Sequence, residues 1–201
     1  MLMLVLGLTG SLAMGKTTVA AMFAADGAAV FDADRAVHGL YTGAAVAPIE
    51  AAFPGTTREG AVDRAALAQR VAGDAAALAR LEGIVHPLVH AAEDAFRADA
   101  ARQGRRIAVL DIPLLFEGGG EARVDAVVVV TTTAAIQAAR IRHREGMTAE
   151  VAARLLARQM PDADKRAGAH FIIDTSGEFA ATAKQVRGVL RAVAARAAAG
   201  G

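Results

Sequence analysis

A run of apolar residues, Leu2 to Leu8, passes straight into Thr9-Gly10-Ser11-Leu12-Ala13-Met14-Gly15-Lys16-Thr17, and this junction constrains the chain more than any other feature. From Gly10 onward the pattern is G-x-x-x-x-G-K-[ST], a loop whose backbone N–H groups cradle phosphates. Glycines let the backbone turn so that successive N–H groups point inward. A helix starting at Lys16 adds the positive end of its dipole to the same anion. Lys16 then reaches the outer phosphates, and the Thr17 hydroxyl is a ligand for Mg²⁺. Ser11, Leu12, Ala13, Met14, Gly15, Lys16, Thr17 and Thr18 therefore form a candidate triphosphate site, with ATP and Mg²⁺ as the implied ligands. The loop needs a buried strand before it and a helix after it. Leu2 to Leu8 reads as the strand, and Lys16 to Ala25 as the helix.

Other short apolar segments follow, each closing on a polar residue: Ala28 to Phe31 before Asp32-Ala33-Asp34, Ile107 to Leu110 before Asp111, Ala126 to Val130 before Thr131, and Phe171 to Ile173 before Asp174. Helical stretches separate them. This alternation predicts an α/β fold, a three-layer parallel five-stranded sheet with helices on both faces and its polar strand ends along one rim. The interval from Asp34 to Arg106 is too long for a simple crossover. It reads as a helical insertion over about residues 35–105, with pieces at Ala65 to Val71, Ala75 to Val85 and Leu88 to Ala101. A second helical stretch over about residues 134–165 reads as a lid. A length of 201 residues suits one domain carrying these additions. The Ala-rich end, Arg191 to Gly201, reads as a helix that frays.

Composition narrows the function. The formal charge is +1, too balanced for a protein that coats nucleic acid. There is no Cys or Trp and only one Tyr, which excludes thiol chemistry and zinc fingers and leaves little for stacking on single strands. No apolar run approaches the ~18 residues that span a bilayer, and the start lacks a signal-peptide pattern, so a cytoplasmic protein is expected. The chain contains no Asn, which removes the Asn-Lys-x-Asp element that reads guanine in Ras-type GTPases. A small-molecule kinase, which must close over its substrates to keep water out, fits the insertions better.

Candidate residues cluster at the predicted strand ends. Asp32 or Asp34 is placed to take the proton of an attacking hydroxyl, and a pair of exposed turn aspartates is the plainer account. If the strand continues through Ala33, the two carboxylates share a face. Asp111 stands where a magnesium-ordering carboxylate belongs. The apolar Pro113-Leu114-Leu115-Phe116 run reads as core or as a wall for an acceptor with an apolar part, with Glu117 ready to accept a hydrogen bond from it. Gln137, Arg140 and Arg144 fall at i, i+3 and i+7 of one helix, and the forked Arg140 guanidinium suits phosphate oxygens. His86-Pro87 and His90 lack further metal ligands and read as substrate contacts or satisfied histidines. Asp63-Arg64 reads as a helix start.

Together these residues resemble the dephospho-coenzyme A kinase family. The resemblance runs from Gly7-Leu8-Thr9-Gly10 to Asp174-Thr175-Ser176-Gly177. It takes in Val30-Phe31-Asp32-Ala33-Asp34, Val62-Asp63-Arg64, His86-Pro87, Pro113-Leu114-Leu115-Phe116-Glu117, Gln137-x-x-Arg140 and Arg158-Gln159-Met160-Pro161. It implies a P-loop kinase core and transfer of the γ-phosphoryl group of ATP to the 3′-hydroxyl of dephospho-coenzyme A. It also implies Asp34 as base, Lys16 and Arg140 on the phosphates, and Asp32, Arg64, His86, Leu115 and Glu117 on the acceptor. A kinase of another small molecule (a nucleoside monophosphate, shikimate or gluconate), or a non-catalytic nucleotide binder, is the alternative. The family's loop usually reads Gly-Gly-Ile-Gly-Ser-Gly-Lys-Ser. Here Ser11 and Ala13 stand in for two glycines and Met14 for the serine, and Ala13 is restrictive if its position needs a positive φ.

Overall fold

The computed structural model describes residues 3–199, so Met1, Leu2 and the final Gly200-Gly201 lie outside the described residues. In chain order the elements are β1 (Leu4–Thr9), α1 (Lys16–Ala25), β2 (Ala29–Asp32), α2 (Ala33–Leu40), α3 (Val46–Ala52), β3 (Thr57–Arg58), β4 (Ala61–Val62), α4 (Arg64–Val71) and α5 (Ala75–Arg102). There follow β5 (Ile107–Asp111), a 3-10 turn (Gly120–Arg123), β6 (Ala126–Thr131), α6 (Ala134–Arg142), α7 (Ala149–Ala157), α8 (Asp162–Ala167), β7 (Phe171–Asp174) and α9 (Phe179–Ala199).

Five strands form one parallel sheet in the order β2-β5-β1-β6-β7, the α/β architecture expected. The register sets the rim. Leu8 of β1 pairs with Asp111 of β5, Thr9 with Val129 of β6, and Thr131 of β6 with Asp174 of β7. The loop after β1 therefore emerges at the centre of the sheet, where successive strands are laid down on opposite sides. Ligands of doubly wound sheets bind at that switch point.

Alternation along β6 divides two cores. Val128 and Val130 pack with Leu6, Leu8, Val19, Phe23, Ile173 and Val186 beneath α1 and α9. Val127 and Val129 pack on the other face with Leu115 and with the half-buried Ile112, Phe116 and Val124. Each such side chain, fully buried, contributes roughly 1.5–3 kcal/mol. The sheet is thus anchored through its central strands, and its carboxyl-end loops are held by a rigid layer.

The chain divides into two compact units, one of residues 1–31 and 100–201, the other of residues 32–99. The second unit has its own core of Ala45, Ile49, Phe53, Val62, Leu67, Ala77 and Val85. Three features of it depart from the sequence reading. The expected break at His86-Pro87 is absent, and α5 runs unbroken for 28 residues with Pro87 inside it. Its buried face outweighs the one hydrogen bond the proline removes. A small antiparallel hairpin, β3-β4, turns through Glu59 and Gly60, both with positive φ (51° and 77°). Finally, the chain turns helical at Ala33, so Asp32 and Asp34 do not alternate along one strand.

Candidate active site

In the first unit, the loop after β1 has two fixed points. A Cβ on Gly10 would lie 2.6 Å from the carbonyl oxygen of Val130, so only glycine lets β1 end this close to β6. Gly15 adopts φ 91° and caps α1 without a side-chain hydrogen bond, and the first turn of α1 carries no acidic residue. The orphan N–H groups that open α1 therefore face outward with their dipole uncompensated, an anion site by construction. Between the two glycines, Ser11 and Met14 are buried, and the Ser11 carbonyl accepts from the Met14 amide at 3.2 Å. Ala13 has φ 61°. The position does require the left-handed conformation, and a non-glycine residue there carries about 1–2 kcal/mol of strain.

The predicted phosphate residues are brought together. Lys16 forms an ion pair with the buried Asp111 at the end of β5. Arg140 donates to Thr175 Oγ1 at 2.9 Å and to the Thr175 carbonyl at 2.8 Å, and it approaches the Ala13 carbonyl at 3.4 Å. Thr175 Oγ1 in turn donates to the Met14 carbonyl at 2.7 Å. Arg140 is thus held against the loop by the residue just beyond β7. Arg144 is not its helical companion, because α6 ends at Arg142.

For Mg²⁺ the chain offers the Thr17 hydroxyl, exposed on the first turn of α1, and the Asp111 carboxylate, both hard oxygen donors. Among the described residues no group of three or more His, Cys, Asp and Glu could hold a metal by itself. This donor set suits an ion that keeps water and takes its remaining ligands from substrate phosphates.

The segment after β5 differs from expectation. Leu115 is no wall: it is 1% exposed and packs in the sheet core, where a Cβ on Gly7 would meet its Cδ2 at 2.7 Å. The turn after β5 that sends Leu115 inward leaves Leu114 exposed. Glu117 Oε1 is already engaged, accepting from Lys165 Nζ at 2.9 Å and from the Met160 amide at 2.7 Å. Burial pushes the Glu117 carboxyl up, but the hydrogen bonds from Lys165 and Met160 outweigh it and hold the group below its ordinary value. Lys165 is fully buried, with the Pro113 carbonyl at 3.4 Å as its other partner. Sequence reasoning passed over this lysine. Its signal was rarity: the chain has three lysines against 19 arginines, and two of the three neutralise carboxylates of β5 and its following loop.

The second unit holds the remaining predicted residues. Asp32 is the N-cap of α2, its Oδ1 accepting from the Arg35 amide at 2.9 Å, and Asp34 lies in the first turn with its side chain exposed. Asp63 caps α4 by accepting from Ala65 and Ala66, which leaves Arg64 at the exposed start of that helix. Burial pushes the Tyr41 hydroxyl up, and the Arg64 charge partly offsets this. His86 and His90 are exposed on α5 with their rings stacked 6.3 Å apart.

Comparison with known proteins decides the family. The family model for dephospho-CoA kinase (CoaE) matches residues 4–181. The chain belongs to the dephospho-CoA kinase family. A dephospho-CoA kinase of Rhodopseudomonas palustris (strain BisB18) is 55% identical over 192 residues, covering 96% of each chain. The solved structure of TT1252 from Thermus thermophilus superposes with a TM-score of 0.82 at 30% identity, covering 96% of this chain and 97% of that one. The dephospho-CoA kinase from Campylobacter jejuni, at 23% identity and TM-score 0.62 over 94% and 96% of the two chains, shares the fold.

Proposed function

We propose that the protein transfers the γ-phosphoryl group of ATP to the 3′-hydroxyl of dephospho-coenzyme A, giving coenzyme A and ADP, the final step of coenzyme A synthesis. The observation that carries this reading is the loop itself. In a member of this family, a left-handed Gly15 opens an acid-free helix start, with Lys16 at its head paired to Asp111 and Arg140 held against the Ala13 carbonyl. The Ser11–Thr18 loop surrounds the phosphates and offers the N–H groups that open α1, the Leu12 and Met14 N–H groups being taken by Gln159 and Ser11; Lys16 shifts from Asp111 toward the outer phosphates, and Arg140 neutralises charge that develops during transfer. Thr17 and Asp111 are the residues that would hold Mg²⁺, which supplies charge neutralisation across the phosphates when bound with the nucleotide.

On the acceptor side, Asp34 takes the proton of the attacking hydroxyl, and Asp32, Arg64 and His86 bind the acceptor. Glu117 contributes through lone pairs that Lys165 and Met160 leave open. Residues 35–105 serve as the acceptor-binding insertion and 134–165 as the lid that excludes water. The reading places the enzyme in the cytoplasm, with ATP and dephospho-coenzyme A as its small-molecule partners. No helix among the described residues is long and apolar enough to cross a membrane.

The test is a coupled assay of ADP release with and without dephospho-coenzyme A, with the product identified by mass. ADP release that depends on the acceptor is expected. Equal release without it, or a stronger response to shikimate, gluconate or a nucleoside monophosphate, overturns the assignment.

A further inference from the structure

Two glutamines from outside the loop hold opposite sides of one loop residue. Gln137 of α6 donates from Nε2 to the Leu12 carbonyl at 2.8 Å. Gln159, just beyond α7, accepts at Oε1 from the Leu12 amide at 2.9 Å. Both polar groups of Leu12 are therefore satisfied by side chains more than 120 residues away in sequence, each of them half-buried. The next residue is Ala13, which holds φ 61° without being glycine.

We propose that Gln137 and Gln159 are positioning residues that clamp the Leu12 peptide, hold Ala13 in the left-handed turn, and so preset the loop for nucleotide. The argument is energetic. A loop of this shape is cheap when glycine occupies the left-handed position, because glycine visits positive φ freely. With Ala13 there, the relaxed loop prefers another conformation unless something outside it determines the peptide on either side. Hydrogen bonds to Leu12 from both directions supply that constraint, since rotating either the 11–12 or the 12–13 peptide breaks one of them. Arg140 and Thr175 reach the Ala13 and Met14 carbonyls and steady the far side of the turn. The clamp also makes nucleotide affinity depend on the 134–160 segment, because a loop populated in its competent shape only part of the time binds proportionally more weakly.

This inference rests on the nucleotide reading of the loop, and binding of ATP with Mg²⁺ by the wild type, measured by calorimetry, is the control for that reading alone. The clamp is tested with Gln137→Met and Gln159→Met, which keep volume and remove the hydrogen bonds. Each should raise the Kd and KM for ATP about tenfold, leave kcat at saturating ATP within about threefold, and leave the acceptor KM unchanged. The decisive readout is rescue. Measured against the Ala13→Gly single variant, loss of either glutamine should cost ATP affinity no more than about threefold, against about tenfold when Ala13 is present, because glycine needs no clamp. A role confined to global stability predicts no such rescue. Unrescued affinity, or Met variants that bind ATP normally, overturns the proposal. Amide hydrogen exchange on the wild type tests it without any substitution: the Leu12 amide should be protected in the nucleotide-free protein, and unprotected exchange refutes the clamp.

Discussion

Lys165→Met and Glu117→Gln break the same ion pair, and the burial of its two ends predicts that they cost very different amounts. The Lys165 side chain is 0% exposed and that of Glu117 is 18% exposed. Glu117→Gln keeps the shape of the residue and its bond from the Met160 amide, but it leaves a buried ammonium facing a neutral amide and the Pro113 carbonyl at 3.4 Å. Removing one partner of a buried pair and stranding the other costs about 3–5 kcal/mol. Lys165→Met removes the buried charge and keeps most of the apolar stem. Glu117 then retains the Met160 amide at 2.7 Å and a share of water, so the loss is one charged hydrogen bond. That loss is about 1.5 kcal/mol, the low end for such bonds, because the ammonium no longer has to be desolvated. At roughly 2–4 °C per kcal/mol for a chain of this size, Tm should fall by roughly 6–20 °C for Glu117→Gln and by roughly 3–6 °C for Lys165→Met. Combining the two substitutions should recover most of the Glu117→Gln loss. The pH dependence follows from the depressed Glu117 carboxyl. A carboxyl held low in the folded state stabilises it fully above the ordinary value of 4.5 and loses that contribution as pH falls through the lowered folded value. The Tm gap between wild type and Glu117→Gln should therefore be complete at neutral pH and close on acidification below 4.5. Thermal unfolding followed by circular dichroism measures all of this. If Lys165→Met proves as costly as Glu117→Gln, the stranded-charge reasoning is wrong.

Gly10→Ala sets a methyl group 2.6 Å from the Val130 carbonyl, so β1 and β6 must separate at the rim; stability should drop by about 1–3 kcal/mol in urea titrations, with weaker ATP binding. Asp34→Asn should lower kcat at least ~10²-fold while ATP KM barely moves, and an unchanged kcat removes Asp34 from the role of base. For Asp32, cap and ligand separate cleanly: Asp32→Asn keeps the bond to the Arg35 amide and costs little stability, whereas Asp32→Ala loses about 1 kcal/mol by chemical denaturation. If Asp32→Asn nonetheless weakens acceptor KM tenfold, the carboxylate has a binding role beyond its cap.

The sheet was readable because its signal is local. Each strand is a short apolar run ended by a polar residue, and α1 starts where the loop motif requires. What escaped was decided by tertiary packing or by atypical turn chemistry. The β3-β4 hairpin turns on Glu59-Gly60, and glutamate is an unusual occupant of a position with φ 51°. The helix α5 carries Pro87 through its interior, against the local rule that proline ends helices, because the surrounding segment packs Ala77 and Val85 into the second unit's core. Leu115 and Leu114 could not be told apart by composition, since only the turn after β5 decides which of two adjacent leucines faces the sheet.

The candidate site divides along the same line. Residues whose chemistry is written in a contiguous motif, Gly10 to Thr18, were legible one by one. Residues that reach the motif from elsewhere were legible unevenly: Arg140 by its forked guanidinium, Gln137 only as a polar position one helical turn before it, Thr175 only as part of the Asp174-Thr175-Ser176-Gly177 stretch, and Lys165 not at all. The physical reason is that a phosphate loop specifies its own shape only as far as its glycines do. Where Ser11 and Ala13 replace glycine, the missing conformational freedom has to be countered by contacts from other elements, and a local pattern carries no record of them. The substituted loop is therefore better understood as a site whose determinants have moved from the motif to Gln137, Arg140, Gln159 and Thr175 than as a weakened copy of a glycine-rich one. On that account, sensitivity to the loss of Gln159 should track the residue at position 13 rather than the overall stability of the fold.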